Sequence, residues 1–143
     1  MSISAVIQIR GLIGSRKPVR DTFKMLRLDR KNHLILINEN KDLMGMVNRI
    51  RDYVTWGSIS NNVLKELIAK RGRLSGNKRV SDKDVDKFTK AILSGKWPSE
   101  LKRVFRLSPP SKGFERLGIK FPYPRGALGP RGDKINELIL RMI

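Results

Sequence analysis

Cysteine is absent from the 143-residue sequence, and histidine occurs once, at His33. Disulfide bridges and thiolate metal sites are therefore excluded, as are metal centres built from several histidines. The sequence also has no apolar run of about 18 residues, which is the length that a transmembrane helix requires. We accordingly expect a protein that uses no metal ion and no other cofactor.

Acidic residues are scarce: Asp and Glu number 13 against 31 Lys and Arg, which gives a formal net charge of +18. Such a chain repels itself unless a polyanion neutralises it, and nucleic acid is the usual polyanion. An anionic membrane surface is the rival, but no segment pairs a basic face with a broad apolar face rich in Trp or Phe. The composition predicts a soluble, intracellular polyanion-binding protein. We expect no membrane partner and no small-molecule substrate.

The first 60 residues alternate between strand and helix patterns. Short β-branched or apolar runs predict strands at residues 6–10, 33–37 and 54–59. Between the strands, apolar residues recur at helical spacing in two sets: Val19, Thr22, Phe23 and Leu26, then Leu43, Met46, Val47, Ile50 and Val54. The order β-α-β-α-β predicts an α+β fold with a three-stranded sheet and both helices on one face. The other face must be covered by the rest of the chain or by a partner.

Gly45 interrupts the second helical pattern. Glycine inside a helix costs about 1 kcal/mol relative to alanine. We therefore expect another surface to approach the backbone closely at Gly45.

The sequence changes character after residue 60, and we predict a boundary there between a core (1–60) and a basic extension (61–143). Helical patterns predict helices near residues 62–71, 82–94 and 133–143. Residues 101–132 contain five prolines, five glycines and eight basic residues against one acid. They cannot form a long helix or a central strand. The core carries 11 bases and 5 acids, net +6, and the extension carries 20 and 8, net +12.

Basic residues form three groups that lie apart in the sequence, at residues 10–31, 70–79 and 102–131. In the first group, the loop Gly14-Ser-Arg-Lys17 opens onto a helix N-terminus, which suits a phosphate. Charge spread over a core, a loop and a tail favours a folded RNA, since no helix-turn-helix, zinc finger or basic zipper is recognisable. The groups nominate these RNA-binding residues: Lys24, Arg27, Lys31, Arg71, Arg73, Lys78, Arg79, Lys112, Arg116 and Lys120.

Four aromatic residues stand among the bases of the third group: Phe105, Phe114, Phe121 and Tyr123. Aromatic rings can stack on the unpaired bases of RNA. They can equally pack the extension onto the core, and the sequence leaves both roles open.

No signature of an enzyme is present. His33 can in principle act as an acid or base in RNA cleavage, but its place at the head of an apolar strand favours a structural or phosphate-contacting role. Asp82, Asp84 and Asp86 alternate at a helix start, so they cannot all face one metal ion. We predict a binding protein, with an RNA-cleaving enzyme that uses His33 as the rival interpretation.

Several segments together resemble one protein family. The first set is Val6-Ile-Gln-Ile-Arg-Gly-Leu-Ile-Gly14, Phe23-Lys-Met-Leu-Arg-Leu28 and Asn32-His-Leu-Ile-Leu-Ile37. The second set, typical of the archaeal and eukaryotic branch, is Gly45-Met-Val-Asn-Arg-Ile-Arg-Asp-Tyr-Val-Thr-Trp-Gly57, Phe105-Arg-Leu-Ser-Pro-Pro110 and Gly126-Ala-Leu-Gly129. Over essentially its whole length, the sequence is similar to the large-subunit ribosomal protein number thirty family, in its archaeal type with a C-terminal extension.

The resemblance implies a core that is ferredoxin-like in part, with an antiparallel sheet whose middle strand comes first in sequence. It also implies a monomer within the large ribosomal subunit that contacts 23S rRNA, the 5S rRNA region and neighbouring ribosomal proteins. A free RNA-binding regulator is the alternative function. By motif match, the RNA-binding residues carried over from the family are Arg10, Gly14, Arg16, Lys17, Arg20, Arg30, Arg125, Gly126 and Arg131.

Overall fold

The computed structural model describes residues 2–143. Within this range the elements are β1 (Ile3–Gln8), α1 (Lys17–Leu26), β2 (His33–Asn38), α2 (Lys41–Arg49), β3 (Val54–Ser58), α3 (Asn61–Arg71), α4 (Asp82–Leu93), β4 (Val104–Arg106), β5 (Gly129–Pro130) and α5 (Ile135–Met142). Short 3₁₀ turns lie at Ser75–Asn77, Gly118–Lys120 and Gly132–Lys134. The protein is therefore of the mixed α+β class that the sequence predicts.

The strands form one sheet in the order β4-β2-β1-β3-β5. β1 lies in the middle and pairs antiparallel with both β2 and β3. β4 pairs antiparallel with β2, and β5 pairs parallel with β3. The prediction of a three-stranded sheet is wrong in this respect: over residues 2–143 the sheet has five strands, because the extension adds one strand to each edge.

The two added strands are too short for the sequence pattern to reveal them. β4 has three residues and β5 has two, whereas alternation indicates a strand only over runs of about four to eight residues. Pro130 has no backbone N–H to give to a ladder, and it is tolerated in β5 because β5 lies at the edge of the sheet.

Helices α1 and α2 cover one face of the sheet, as predicted. Phe23 of α1 and Val47 of α2 are fully buried there against Val6 and Ile35. Burying one side chain of this size stabilises the fold by about 1.5–3 kcal/mol. α1 ends at Arg27, whose left-handed backbone (φ 60°) terminates the helix and turns the chain back toward β2.

The opposite face is covered by the rest of the chain, which is one of the two possibilities that the sequence leaves open. Ile7 of β1 and Leu34 of β2 point to this face because side chains alternate along a strand. They join Leu67 of α3, Phe88 of α4 and Leu138 of α5 in a second apolar cluster. The sheet is therefore buried between two helical layers.

Within residues 2–143 nothing approaches Gly45 closely, since a side chain placed there would meet no atom within 4 Å. By contrast, Gly57 in β3 is crowded, since a Cβ there would collide with the carbonyl oxygen of Gly132 and with the Ile135 side chain. No surface of the chain itself therefore explains Gly45, because a helical pattern indicates the energetic cost of a glycine but not what lies next to it. At Gly57 the start of α5 packs directly on the backbone of β3.

Candidate nucleic-acid interface

The loop between β1 and α1 gathers basic residues at one end of the sheet. The Arg10 guanidinium lies 5.5 Å from the centre of the Tyr53 ring. Lys31 lies against the same loop, since a Cβ at Gly11 would be 3.2 Å from its Cε. Arg16 is the N-cap residue of α1, and the first turn of α1 has no acidic side chain. Exposed cations and the positive end of the helix dipole therefore coincide, which favours a phosphate.

Strand β4 brings cations of the extension next to cations of the core. Arg106 lines a cleft together with Arg27 and Arg103. It also lines a second, smaller cleft with Arg71 and Arg73. We call this region the junction surface; its members are Arg27, Arg71, Arg73, Lys102, Arg103 and Arg106. Members of all three basic groups, far apart in the chain, thus meet at β4.

Three residues of the junction surface, Lys102, Arg103 and Arg106, are missing from the set predicted from the sequence. The structure places Arg106 opposite His33 in the β2–β4 ladder. The signal that could have found it is the alternation from Val104 to Leu107. Phe105 and Leu107 are buried on one side, which leaves the arginine between them on the other.

His33 sits in a positively charged environment. Burial, followed by the Arg106 and Arg30 guanidinium groups, lowers the pKa of His33 below its ordinary value of 6.5, while Asp29 opposes that shift. The lowered pKa favours the neutral form of the imidazole at pH 7. A neutral imidazole can donate one hydrogen bond to a ligand and accept another without adding a positive charge.

Arg131 lies inside the protein, unlike the other predicted cations. Its side chain is only 1% exposed, and its Nη1 donates to Glu115 Oε1 at 2.8 Å. Its Nε donates to Thr55 Oγ1 at 3.0 Å, and the guanidinium lies 4.9 Å from the centre of the Tyr123 ring. Arg131 therefore contacts the protein's own groups and anchors the extension to β3.

The aromatic residues of the extension divide between packing and exposure. Phe105 is fully buried, and Phe114 packs against the second apolar cluster. Tyr123 holds the Arg131 guanidinium, as described above. Phe121 remains about half exposed. Gly126 is buried beside it, where a Cβ would collide with the Phe121 backbone, so Gly126 serves a tight turn.

The remaining predicted residues lie at or near the surface. Arg10, Arg71 and Arg73 are half-buried. The other predicted residues are exposed: Gly14, Arg16, Lys17, Arg20, Lys24, Arg27, Arg30, Lys31, Lys78, Arg79, Lys112, Arg116, Lys120 and Arg125. The backbones of Arg79 and Arg73 pair in an isolated antiparallel β-bridge, so Arg79 adjoins the junction surface. The segment that carries Lys112 to Arg125 is held near α5 instead, through Ser111 N–H and the Arg141 carbonyl. It forms a separate basic surface.

Over residues 2–143, no group of three or more His, Asp or Glu side chains is placed to hold a metal ion. None of the helices described there is both long and apolar enough to cross a membrane. The chemistry that the arrangement offers is the binding of anions by exposed arginine and lysine.

The fold and these surfaces define a small basic α+β protein of the polyanion-binding class. A family model described as ribosomal protein L30p/L7e matches residues 5–54, from β1 to the first residue of β3. Similar proteins include the large ribosomal subunit protein uL30 of Methanococcus vannielii, 44% identical over 97% of this chain and 98% of the relative. The uL30 protein of Nanoarchaeum equitans is 41% identical with both chains covered completely, and that of Archaeoglobus fulgidus is 37% identical over 96% and 98%.

The chain belongs to this ribosomal protein family. The match extends over the core and over the extension alike. The resemblance drawn from the sequence motifs, including its archaeal type, is thereby confirmed.

Proposed function

We propose that the chain is a structural constituent of the large ribosomal subunit, in the cytoplasm, where it binds and positions rRNA. The observation that carries this proposal is that the chain aligns over nearly its whole length, and over nearly their whole length, with proteins named as large-subunit components. A net charge of +18 supports it, because such an excess requires a polyanion to neutralise it. The partners would be 23S rRNA, the 5S rRNA region and neighbouring ribosomal proteins, with one copy in each subunit.

The two parts of the chain would share the work. The core, residues 1–60, would present the Arg10–Lys31 loop and helix surface to one RNA segment. The extension, residues 61–143, would add the rest of the junction surface and the exposed bases from Lys112 to Arg125. Each phosphate contact displaces bound counterions, and contacts to the RNA backbone fix its position without reading its sequence. Arg131 would act as a positioning residue that holds the extension on the core.

Sedimentation tests the proposal. A tagged chain is expressed in an archaeal cell, and the lysate is separated on sucrose gradients before and after a moderate-salt wash. We expect the chain in the large-subunit fractions both times. Recovery mainly in the free pool would contradict the proposal and favour a free regulator. Arg16→Ala with Lys17→Ala should wash off at lower salt, whereas Lys83→Ala with Lys87→Ala, which removes the same charge from α4, should not.

The chain would not be an enzyme. His33 has Arg106, Arg30 and Asp29 as its charged neighbours. The two arginines favour the binding of a phosphate beside the imidazole. Incubation of labelled rRNA with wild-type and His33→Ala protein separates the two functions. We expect intact RNA with both proteins; cleavage that depends on His33 would overturn this part of the proposal.

A further inference from the structure

A cleft of about 640 Å³ opens beside β4. It is lined by Arg27, His33, Trp97, Lys102, Arg103 and Arg106, among others. Pockets that bind small molecules typically measure about 300–1,000 Å³. The smaller cleft, about 290 Å³, is lined by Arg71, Arg73, Asn77 and Arg106. Arg106 therefore stands between two adjoining clefts, with cations on both sides.

The three arginines of the larger cleft are available to a ligand. Within residues 2–143, the side chains of Arg27, Arg103 and Arg106 make no hydrogen bond and no ion pair. Two neighbours are held in place: Lys102 Nζ donates to Asn77 Oδ1 at 2.6 Å, and Arg71 Nη2 donates to Ser108 Oγ at 2.7 Å. The cleft thus combines a fixed frame with three unused guanidinium groups.

Two carboxyl groups, Asp29 and Glu100, also line the larger cleft. They are acceptors, which a phosphate avoids but an exocyclic amino group of a base can use. The wall includes Trp97, which is half-buried and whose Nε1 donates to the Leu101 carbonyl at 2.8 Å. Trp97 also meets Phe105 edge-on, with ring centres 6.3 Å apart. Its orientation is therefore set by the protein before any ligand arrives.

We propose that this cleft binds one unpaired nucleotide of single-stranded RNA, with the base beside Trp97 and an adjoining phosphate on Arg106. The inference rests on the proposed function, because it names the kind of RNA that the junction surface takes. A duplex presents rows of phosphates and stacked pairs, which cannot enter a concave space of this size. An unpaired nucleotide can be splayed out, stacked on an aromatic ring and hydrogen-bonded at its edge.

The test uses the full-length protein and a five-nucleotide single-stranded cytidine RNA, whose bases carry amino donors for the two carboxyl groups. Binding is measured by fluorescence anisotropy at low salt. Arg103→Gln with Arg106→Gln should weaken binding at least about tenfold, since the charge-assisted phosphate contact of Arg106 and a second positive charge of the cleft are lost. The matched control is Lys83→Gln with Lys87→Gln, which removes the same charge from the exposed face of α4. It should weaken binding much less.

His33 provides a second readout because it is the single histidine of the chain. Its ring resonances in NMR spectra should shift when the oligomer is added to the wild type or to the α4 control. They should not shift with the Arg103/Arg106 variant, or with an RNA duplex of equal length. If the double variant folds poorly, Arg103→Gln alone replaces it, because Arg103 lies in a loop before β4. This single variant should give an intermediate loss of RNA affinity.

Equal weakening by the cleft variant and the α4 control would overturn the proposal, as would a His33 response to duplex as large as that to single strand. Neither result would affect the sedimentation of the chain with large subunits. The failure of this inference is therefore distinguishable from the failure of the proposed function.

Discussion

Glu115 accepts a hydrogen bond from the buried Arg131 guanidinium at 2.8 Å, and Arg131 in turn attaches the extension to strand β3 of the sheet. The Arg131 backbone N–H donates to the Trp56 carbonyl in β3. Glu115 also lies 3.6 Å from the Arg141 guanidinium of α5. One carboxylate thus joins two cations of different elements. The basic segment between Lys112 and Arg125 is consequently held near its start by contacts within the protein.

Glu115→Ala should lower the free energy of unfolding by about 3 kcal/mol, because it leaves the Arg131 guanidinium buried without its anionic partner. Urea denaturation measures the change. Glu137→Ala is the matched control, since Glu137 pairs with Lys134 at 3.0 Å on the open surface. Exposed ion pairs contribute little, so this variant should unfold nearly like the wild type. Equal losses for the two variants would remove the special role of Glu115.

Gly57→Ala should lower the free energy of unfolding by about 1–3 kcal/mol, the usual range for an overpacked core. The cause is the collision of the new methyl group with the backbone and side chain at the start of α5. Gly45→Ala should have the opposite sign and stabilise the protein by about 0.5–1 kcal/mol, because the site is open and alanine favours helix. Thermal or urea unfolding of the two variants gives both values; a stabilising Gly57→Ala would contradict the packing described here.

His33 should make stability depend on pH. Because its pKa is lowered in the folded protein, the unfolded chain binds more protons below about pH 6.5. The free energy of unfolding should therefore fall as the pH decreases through and below that value. His33→Gln should flatten this part of the curve, measured by urea unfolding between about pH 5 and 8. If His33 instead stabilised the folded protein more as the pH decreased, the expected direction of the pH dependence would be wrong.

Binding to an rRNA fragment should weaken steeply with salt, because each phosphate contact contributes roughly 0.7–0.9 to the slope of log affinity against log salt concentration. Arg16→Ala with Lys17→Ala should reduce the slope by about two contacts and leave the melting temperature unchanged, since both side chains are exposed. Titrations at several salt concentrations measure this. A wild-type slope that corresponds to only one or two phosphate contacts would contradict the proposed RNA binding. A loss of melting temperature in the variant as marked as its loss of affinity would give Arg16 and Lys17 a structural role instead.

The core elements could be predicted from the sequence because their patterns are local. The apolar residues around Phe23 repeat every three or four positions, and the run after His33 is continuous, so helix α1 and strand β2 follow from spacing alone. The edge strands could not be predicted in the same way. β4 exists because Val104 to Arg106 meets an available edge of β2, and that pairing depends on the folded core.

The site was predictable as a charge pattern but not as a geometry. Arg16 and Arg131 are both basic residues in glycine-containing loops, yet the first is exposed and the second is enclosed by Glu115, Thr55 and Tyr123. Only the tertiary partners distinguish them. Arg106 belongs to the third basic group but was not nominated for RNA binding, because only the fold shows that it stands opposite His33.

RNA crosslinking within assembled large subunits tests the central claim most directly. Subunits that carry the chain are irradiated, and the chain's peptides bound to RNA are identified by mass spectrometry. We predict rRNA crosslinks both from the core, within residues 10–31, and from the extension, within residues 97–125. Crosslinks confined to one of these regions, or the absence of the chain from large subunits, would contradict the account.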